Sequence, residues 1–146
     1  TGIDARYCHT YIIGEHGDSE VAAWSITNIA GMSIKSFLSI TASVQMKIYK
    51  RCTAKLKTPH TKYTKKGATY YAIAAAVARI VECISGGENS VLTISSVLNG
   101  EYGIEDISLS VPTQVSGYGV ERILDVPFNE IELQGLETVP KHLKTA

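Results

Sequence analysis

Between residues 67 and 126 the hydrophobic period of the chain changes once. In "GATYYAIAAAVARIVECI", residues 67 to 84, Ile73, Val77, Ile80 and Ile84 recur at helical spacing, and the alanines between them permit close packing. The following "SGG", 85 to 87, ends that helix, as glycine after a helix usually does. From there the period is two. "VLTISSVL" reads as a strand, "NGEYG" as a turn, and in "ISLSV" Ile107, Leu109 and Val111 alternate with serines, the mark of a half-buried strand. "SGYG" turns the chain again, and "VERILDV" is a third strand.

The flanking regions read less sharply. "YCHTYIIG", residues 7 to 14, is rich in β-formers and predicts a strand. "GEHGDS" is a turn, and "EVAAWSITNIAG" predicts a second strand and turn, so an antiparallel pair would carry His16 near its mouth. Residues 42 to 57 could form a basic helix ended by Pro59. The tail from residue 129 predicts a closing helix in which Pro140 is an awkward guest. There is no internal repeat, no Gly-x-Gly-x-x-Gly after a strand and no phosphate-binding loop.

Lys plus Arg balance Asp plus Glu at 14 each, so no global field favours nucleic acid or a membrane surface. No apolar run is long enough to span a bilayer. Cys8, Cys52 and Cys83 are odd in number and widely spaced, which argues against structural zinc and a disulfide framework and for a reduced, cytoplasmic protein. The chain opens with Thr1 and runs at once into turn and strand, the expectation for a domain cut from a longer polypeptide.

His16 is the residue that asks for an explanation. A turn histidine bonded to nearby backbone is the bland reading. A metal reading would use Glu15, His16, Asp18 and His9, but His9 and His16 are an odd number of residues apart and fall on opposite faces of a strand, so no metal is expected. A proton-transfer reading explains more. An imidazole titrates at about pH 6.5 before perturbation. Gly14 and Gly17 leave room beside the ring, and "YIIG" would anchor it on a strand.

"HTYIIGEHGDSEVAAWS" closely resembles the active-site segment of bacterial NAD-dependent L-lactate dehydrogenases, and "KKGATYYAIAAAVARI" resembles a second segment of the same family, in the right order. "GVERILDVPFNEIELQGLE" is similar to the family's closing part, so the resemblance covers nearly the whole chain. It implies an α+β fold of antiparallel sheets packed with a long helix, and it makes residues 1–146 the C-terminal catalytic domain. The N-terminal NAD-binding Rossmann domain, the aspartate that orients the histidine and the substrate-clamping arginines would lie outside this chain.

The resemblance also implies residue roles. His16 would be the general acid–base between pyruvate and L-lactate, with NAD as cofactor. Thr69 would line the substrate pocket; on its own it reads as a helix-start threonine. Ile73 would pack against the nicotinamide ring; on its own it reads as plain core. His9 would meet a phosphate of fructose bisphosphate at a subunit interface of a homotetramer; on its own it reads as a strand histidine facing solvent. Trp24, Tyr70 and Tyr71 read as packing or interface residues. The relatives that act on malate usually carry glycine in place of Glu15, so "GEHGDS" leans toward lactate. Three other readings stand beside this one: a malate dehydrogenase-like enzyme, a non-catalytic oligomerisation module of the same fold, and a metal-dependent hydrolase around Glu15, His16 and Asp18.

Overall fold

The computed structural model describes residues 3–15, 19–40 and 70–143. Its largest piece is a three-stranded antiparallel sheet of β6 (Ser90–Asn99), β7 (Glu105–Ser116) and β8 (Gly119–Ile123), with β7 in the centre. This sheet realises the period of two. Leu98, Leu109, Val111 and Thr113 project from one face and are fully buried, as the alternation of serines with Leu109 and Val111 predicts. The third strand ends at Ile123, three residues short of the expected "VERILDV", because the chain peels away after Leu124 N–H donates to Pro112 O at 3.0 Å.

The amino-terminal expectation needs correction. "YCHTYIIG" is not one strand. A 3-10 turn at Ala5–Tyr7 leads into β1 (Cys8–His9), and β2 (Ile12–Ile13) follows. "EVAAWSITNIAG" is likewise divided into β3 (Val21–Ala22), a turn over 24–26 and β4 (Asn28–Ile29), followed by β5 (Met32–Ser33). The physical reason is a change of partner. β1 pairs with β4 and β4 with β5, whereas β2 pairs with β3 in a separate hairpin, so neither stretch stays in one ladder. The expected antiparallel pair does form, as β2–β3. Ala30 at φ 51 and Gly31 at φ 79 make the tight β4–β5 turn, the paired positive angles of a type I′ hairpin.

Helix α1 (Ile34–Ile40) follows β5 and buries Phe37 and Leu38. Helix α2 (Tyr71–Gly86) is the long helix the sequence predicts, and it ends within the "SGG" expected to stop it. Gly87 at φ 64 takes the left-handed cap. Its N–H donates to Ile84 O at 3.2 Å and that of Glu88 to Cys83 O at 3.0 Å, the two bonds of a Schellman ending. Helix α3 (Glu130–Leu143) is the closing helix, and it continues past Pro140. The helix expected over 42–57, with Pro59, lies outside the described residues.

One core joins these pieces. Ile13 and Ala23 from the β2–β3 hairpin, Leu98, Leu109 and Val111 from the large sheet, Phe128 and Leu136 form one buried cluster. Tyr102 guides the chain from β8 toward α3. Its ring packs on Phe128 at 5.1 Å, and its hydroxyl donates to Leu124 O and accepts from Val126 N–H. Burial there raises the Tyr102 pKa above its ordinary value.

Candidate functional site

The candidate site is the turn between β2 and β3. Ile12 lies opposite Ala22 and Ile13 opposite Val21, so among the described residues the hairpin has two paired rungs. It is braced from outside. Gly14, at φ 97, exchanges two hydrogen bonds of 2.9 Å with Ser110 of β7. A side chain would strain the left-handed backbone at Gly14, and glycine removes that cost. The result is that β7 has two neighbours along one edge, the hairpin at Ser110 and β8 from Thr113 onward. Pro112, which has no N–H to give, stands between them.

Beyond Gly14 a second contact joins the two sides of the hairpin. Ser19 Oγ donates to the half-buried carboxylate of Glu15, at Oε2, at 2.7 Å. A cleft of about 440 Å³ opens beside it, between Gly14, Glu15 and Glu20 of the hairpin and Thr93 and Ser110 of the large sheet. Its volume suits a small organic ligand.

His16 and Thr69 lie outside the described residues, as does Asp18. Ile73 and His9 are described. Ile73 stands in the first turns of α2 and is 62% exposed, so the plain-core reading fails for this chain. His9 is exposed on β1, an outer strand, opposite Asn28. The two are not brought together: His9 belongs to the β1–β4–β5 sheet, and α2 packs on β7 through its C-terminal half, where the Cys83 thiol donates to Val115 O at 3.8 Å. Tyr70 and Tyr71 are also exposed, and Trp24 is half-buried.

Sequence reasoning missed the bracing residues. Ser110 has no local signal, because its partner lies far back in the chain. Ser19 and Glu15, four apart across a turn, offered a weak one. Glu132 offered a better one. "NEIE", residues 129–132, has the Asn-x-x-Glu spacing of a capping box, and the box forms: Glu132 N–H donates to Asn129 Oδ1 and Asn129 N–H to Glu132 Oε2, both at 3.0 Å.

Comparison with known proteins bears on the whole chain. The profile of the lactate/malate dehydrogenase, alpha/beta C-terminal domain, matches residues 1–146. The L-lactate dehydrogenase of Thermoanaerobacterium saccharolyticum is 51% identical over 134 residues, covering 90% of this chain and 43% of that protein. L-lactate dehydrogenase 1 of Clostridium acetobutylicum is 49% identical, covering 97% of this chain and 46% of its own length. Among solved structures, the ligand-bound minor L-lactate dehydrogenase of Enterococcus mundtii superposes with a TM-score of 0.86 at 38% identity, covering 98% of this chain and 46% of that one. A lactate dehydrogenase from a Medee basin deep-sea metagenome library gives 0.89 at 33% identity, with 98% and 46% covered. The chain thus spans less than half the length of these relatives.

Proposed function

Since the chain belongs to the lactate/malate dehydrogenase C-terminal domain family, we propose that it is the catalytic domain of an NAD-dependent L-lactate dehydrogenase, completed by an N-terminal nucleotide-binding domain outside this sequence. The observation that carries the reading is the braced hairpin. Of "GEHGDS", Gly14 is fixed to β7 and Glu15 is bonded to Ser19, so the described residues on either side of 16–18 are held in place. His16 then serves as general acid–base. Hydride arriving at the pyruvate carbonyl builds negative charge on its oxygen, and a protonated imidazole neutralises it; in reverse, the neutral ring takes the hydroxyl proton of L-lactate. The nicotinamide cofactor, when bound, would supply the hydride as NADH for pyruvate reduction and take it back as NAD in lactate oxidation. Ile73 presents an apolar side chain from α2 that suits one face of a nicotinamide ring, and Thr69 precedes the same helix. Glu15 favours lactate over malate.

His16→Asn in the full-length enzyme keeps a similar shape and removes the transferable proton. Turnover falls by about 10²- to 10⁴-fold, the usual contribution of a general acid–base group. In the unaltered enzyme, pyruvate reduction declines as pH rises through the histidine titration and lactate oxidation declines as pH falls through it. Steady-state kinetics in both directions check this; near-normal turnover of the Asn variant would return His16 to the turn-histidine reading.

The same reading makes the full-length protein a cytoplasmic homotetramer and His9 a contact for fructose bisphosphate. The exposed position of His9 on an outer strand supports the contact. Fructose bisphosphate is expected to lower the KM for pyruvate, and His9→Ala to blunt that response by several-fold. Equal activation of both proteins would leave His9 an ordinary surface residue.

A further inference from the structure

We propose that the outer edge of β6 is a pairing surface for a second copy of this chain, the two joining strand to strand about a two-fold axis at Ile94 into one continuous antiparallel sheet. β6 has β7 on one side and, among the described residues, no strand on the other. Which of its backbone groups face outward follows from β7. In an antiparallel strand the N–H and C=O of one residue point to the same side, and successive residues alternate. Ser110 of β7 uses both groups on Gly14, and Pro112 O accepts from Leu124 N–H, so both residues face away from β6. Their partners on β6 are Ser95 and Thr93. Those pairs are therefore not hydrogen-bonded, and Ser95 and Thr93 direct their backbone groups to the open side. The register is regular from Ser90 to Leu98, so Val91 and Val97 do the same.

The two edges of this sheet differ. β8 is five residues long, carries Glu121 and Arg122, and pairs across an irregularity at Gln114 and Val115. Brevity, charge and bulges are the means by which natural edges avoid unwanted pairing. β6 is ten residues long, with no charge and no proline, and its irregularity is confined to the far end at Leu98 and Asn99. Val91 and Val97 are 44% and 53% exposed. An edge left open in this way is a template for another strand. The order of residues selects which strand. In "VLTISSV", residues 91–97, a two-fold axis at Ile94 sets Val91 opposite Val97 of the second copy and Thr93 opposite its Ser95. Every residue whose backbone faces outward then meets another that does so, as a hydrogen-bonded antiparallel pair requires. Threonine meets serine, a favourable cross-strand pair, and no charge meets its like. A second copy has this symmetry by construction, the self-matching of an isologous contact. The proposal does not depend on the reading of His16, and it gives the proposed homotetramer one of its contacts.

The test uses the full-length protein and reads mass rather than turnover, so a failure of the enzyme reading would not disturb it. Ser95→Pro removes an outward N–H, spares the ladder to β7 and puts a ring where the second strand would lie. Val91→Lys with Val97→Lys sets like charges opposite each other across the axis, whereas Val91→Glu with Val97→Lys sets opposite charges there. In sedimentation equilibrium, Ser95→Pro and the double lysine variant are expected to raise the dissociation constant of the assembly by about tenfold or more, and the glutamate–lysine variant to recover most of the loss. Ile94→Cys would place two thiols in a non-hydrogen-bonded pair, with a Cα spacing of about 4.5 Å that lies within disulfide range. Mild oxidation is expected to cross-link that variant into a dimer well beyond the level of the parent, which has Cys8, Cys52 and Cys83 of its own. If Ser95→Pro does not fold, the lysine and cysteine variants decide. Variants that keep the parent's mass at every concentration overturn the proposal. So do variants that lower Tm without lowering mass, since another part of the same chain then covers the edge. A fall in mass without an Ile94→Cys cross-link overturns it as well, because the copies then do not meet at this axis.

Discussion

Helices α2 and α3 are similar in length, 16 and 14 residues, and are anchored in opposite ways. Helix α3 is fixed at its start. It has a reciprocal cap, a buried carboxylate, a glycine pressed on Val21 and a leucine, Leu136, with no exposed surface. Helix α2 has no side-chain cap at its start and is fixed at its end, by the Gly87 turn and by Cys83, the one buried residue among its described positions. Ile73, Val77, Val81 and Ile84 leave an apolar row in solvent. Both helices have an apolar stripe, so amphipathicity alone does not say which stripe the chain itself covers. A helix that buries its stripe serves the core of this domain; one that exposes it is left to meet something else.

The contrast can be tested by substitution, and the largest effect is expected in α3. Leu136→Ala removes side-chain atoms from the shared core and should cost about 2–5 kcal/mol in denaturant unfolding, the range for truncating a fully buried leucine. A loss below about 1 kcal/mol would mean that α3 is no better anchored than α2. Ile73→Ala should do the reverse. With most of its surface already in water, it is expected to change stability by within about 0.5 kcal/mol, while the full-length enzyme shows a several-fold higher KM for NADH. A large loss of stability with unchanged KM would make α2 a core helix after all.

The smallest effect concerns the end of α2. Arg79 Nη2 bonds Glu88 Oε2 at 2.7 Å, tying the helix to the start of β6, and both groups are exposed. The Arg79 guanidinium, first by its hydrogen bond and then by its charge, holds the Glu88 carboxyl below its ordinary pKa of 4.5. A carboxyl with a lowered folded pKa adds stability above its unfolded value and loses it as pH falls through the folded one. The contribution of this pair should therefore be intact at neutral pH, begin to fade near pH 4.5 and be gone below the lowered value. Exposed pairs are weak and screened by salt. The difference in Tm between the protein and Glu88→Gln should accordingly be small at neutral pH, shrink in high salt and vanish in acid. A difference that grows in acid would contradict the assignment.

The parts of this fold that were legible in the sequence are those whose signal is local and repeated. The three- and four-residue spacing from Ile73 to Ile84 identified α2, and the serine alternation around Leu109 identified β7. The burial of α2 was not legible, since the pattern marks an apolar face without saying what covers it. The hairpin region was read too coarsely because its strands are two residues long, too short for a period to establish itself, and because their identity depends on which partner each rung meets. The resemblance singled out His16 without the structure, but the long-range contacts around the hairpin escaped the reading. Gly14 meets Ser110, and Ser25 meets Glu132 at a separation of 107 residues, and no window along the chain holds both members of either pair.

The Gly14–Ser110 bridge has a kinetic consequence. β7 and β8 are joined by a turn of two residues and can find each other early, whereas the bridge closes a loop that includes most of the chain. Loop-closure entropy rises with loop length, and contacts distant in sequence slow folding. The large sheet is thus a template that must exist before the hairpin can be laid against it. On that order of events, the β2–β3 hairpin is among the last elements to acquire its final place, so a chain arrested late in folding would have its sheet built and the hairpin still loose from it.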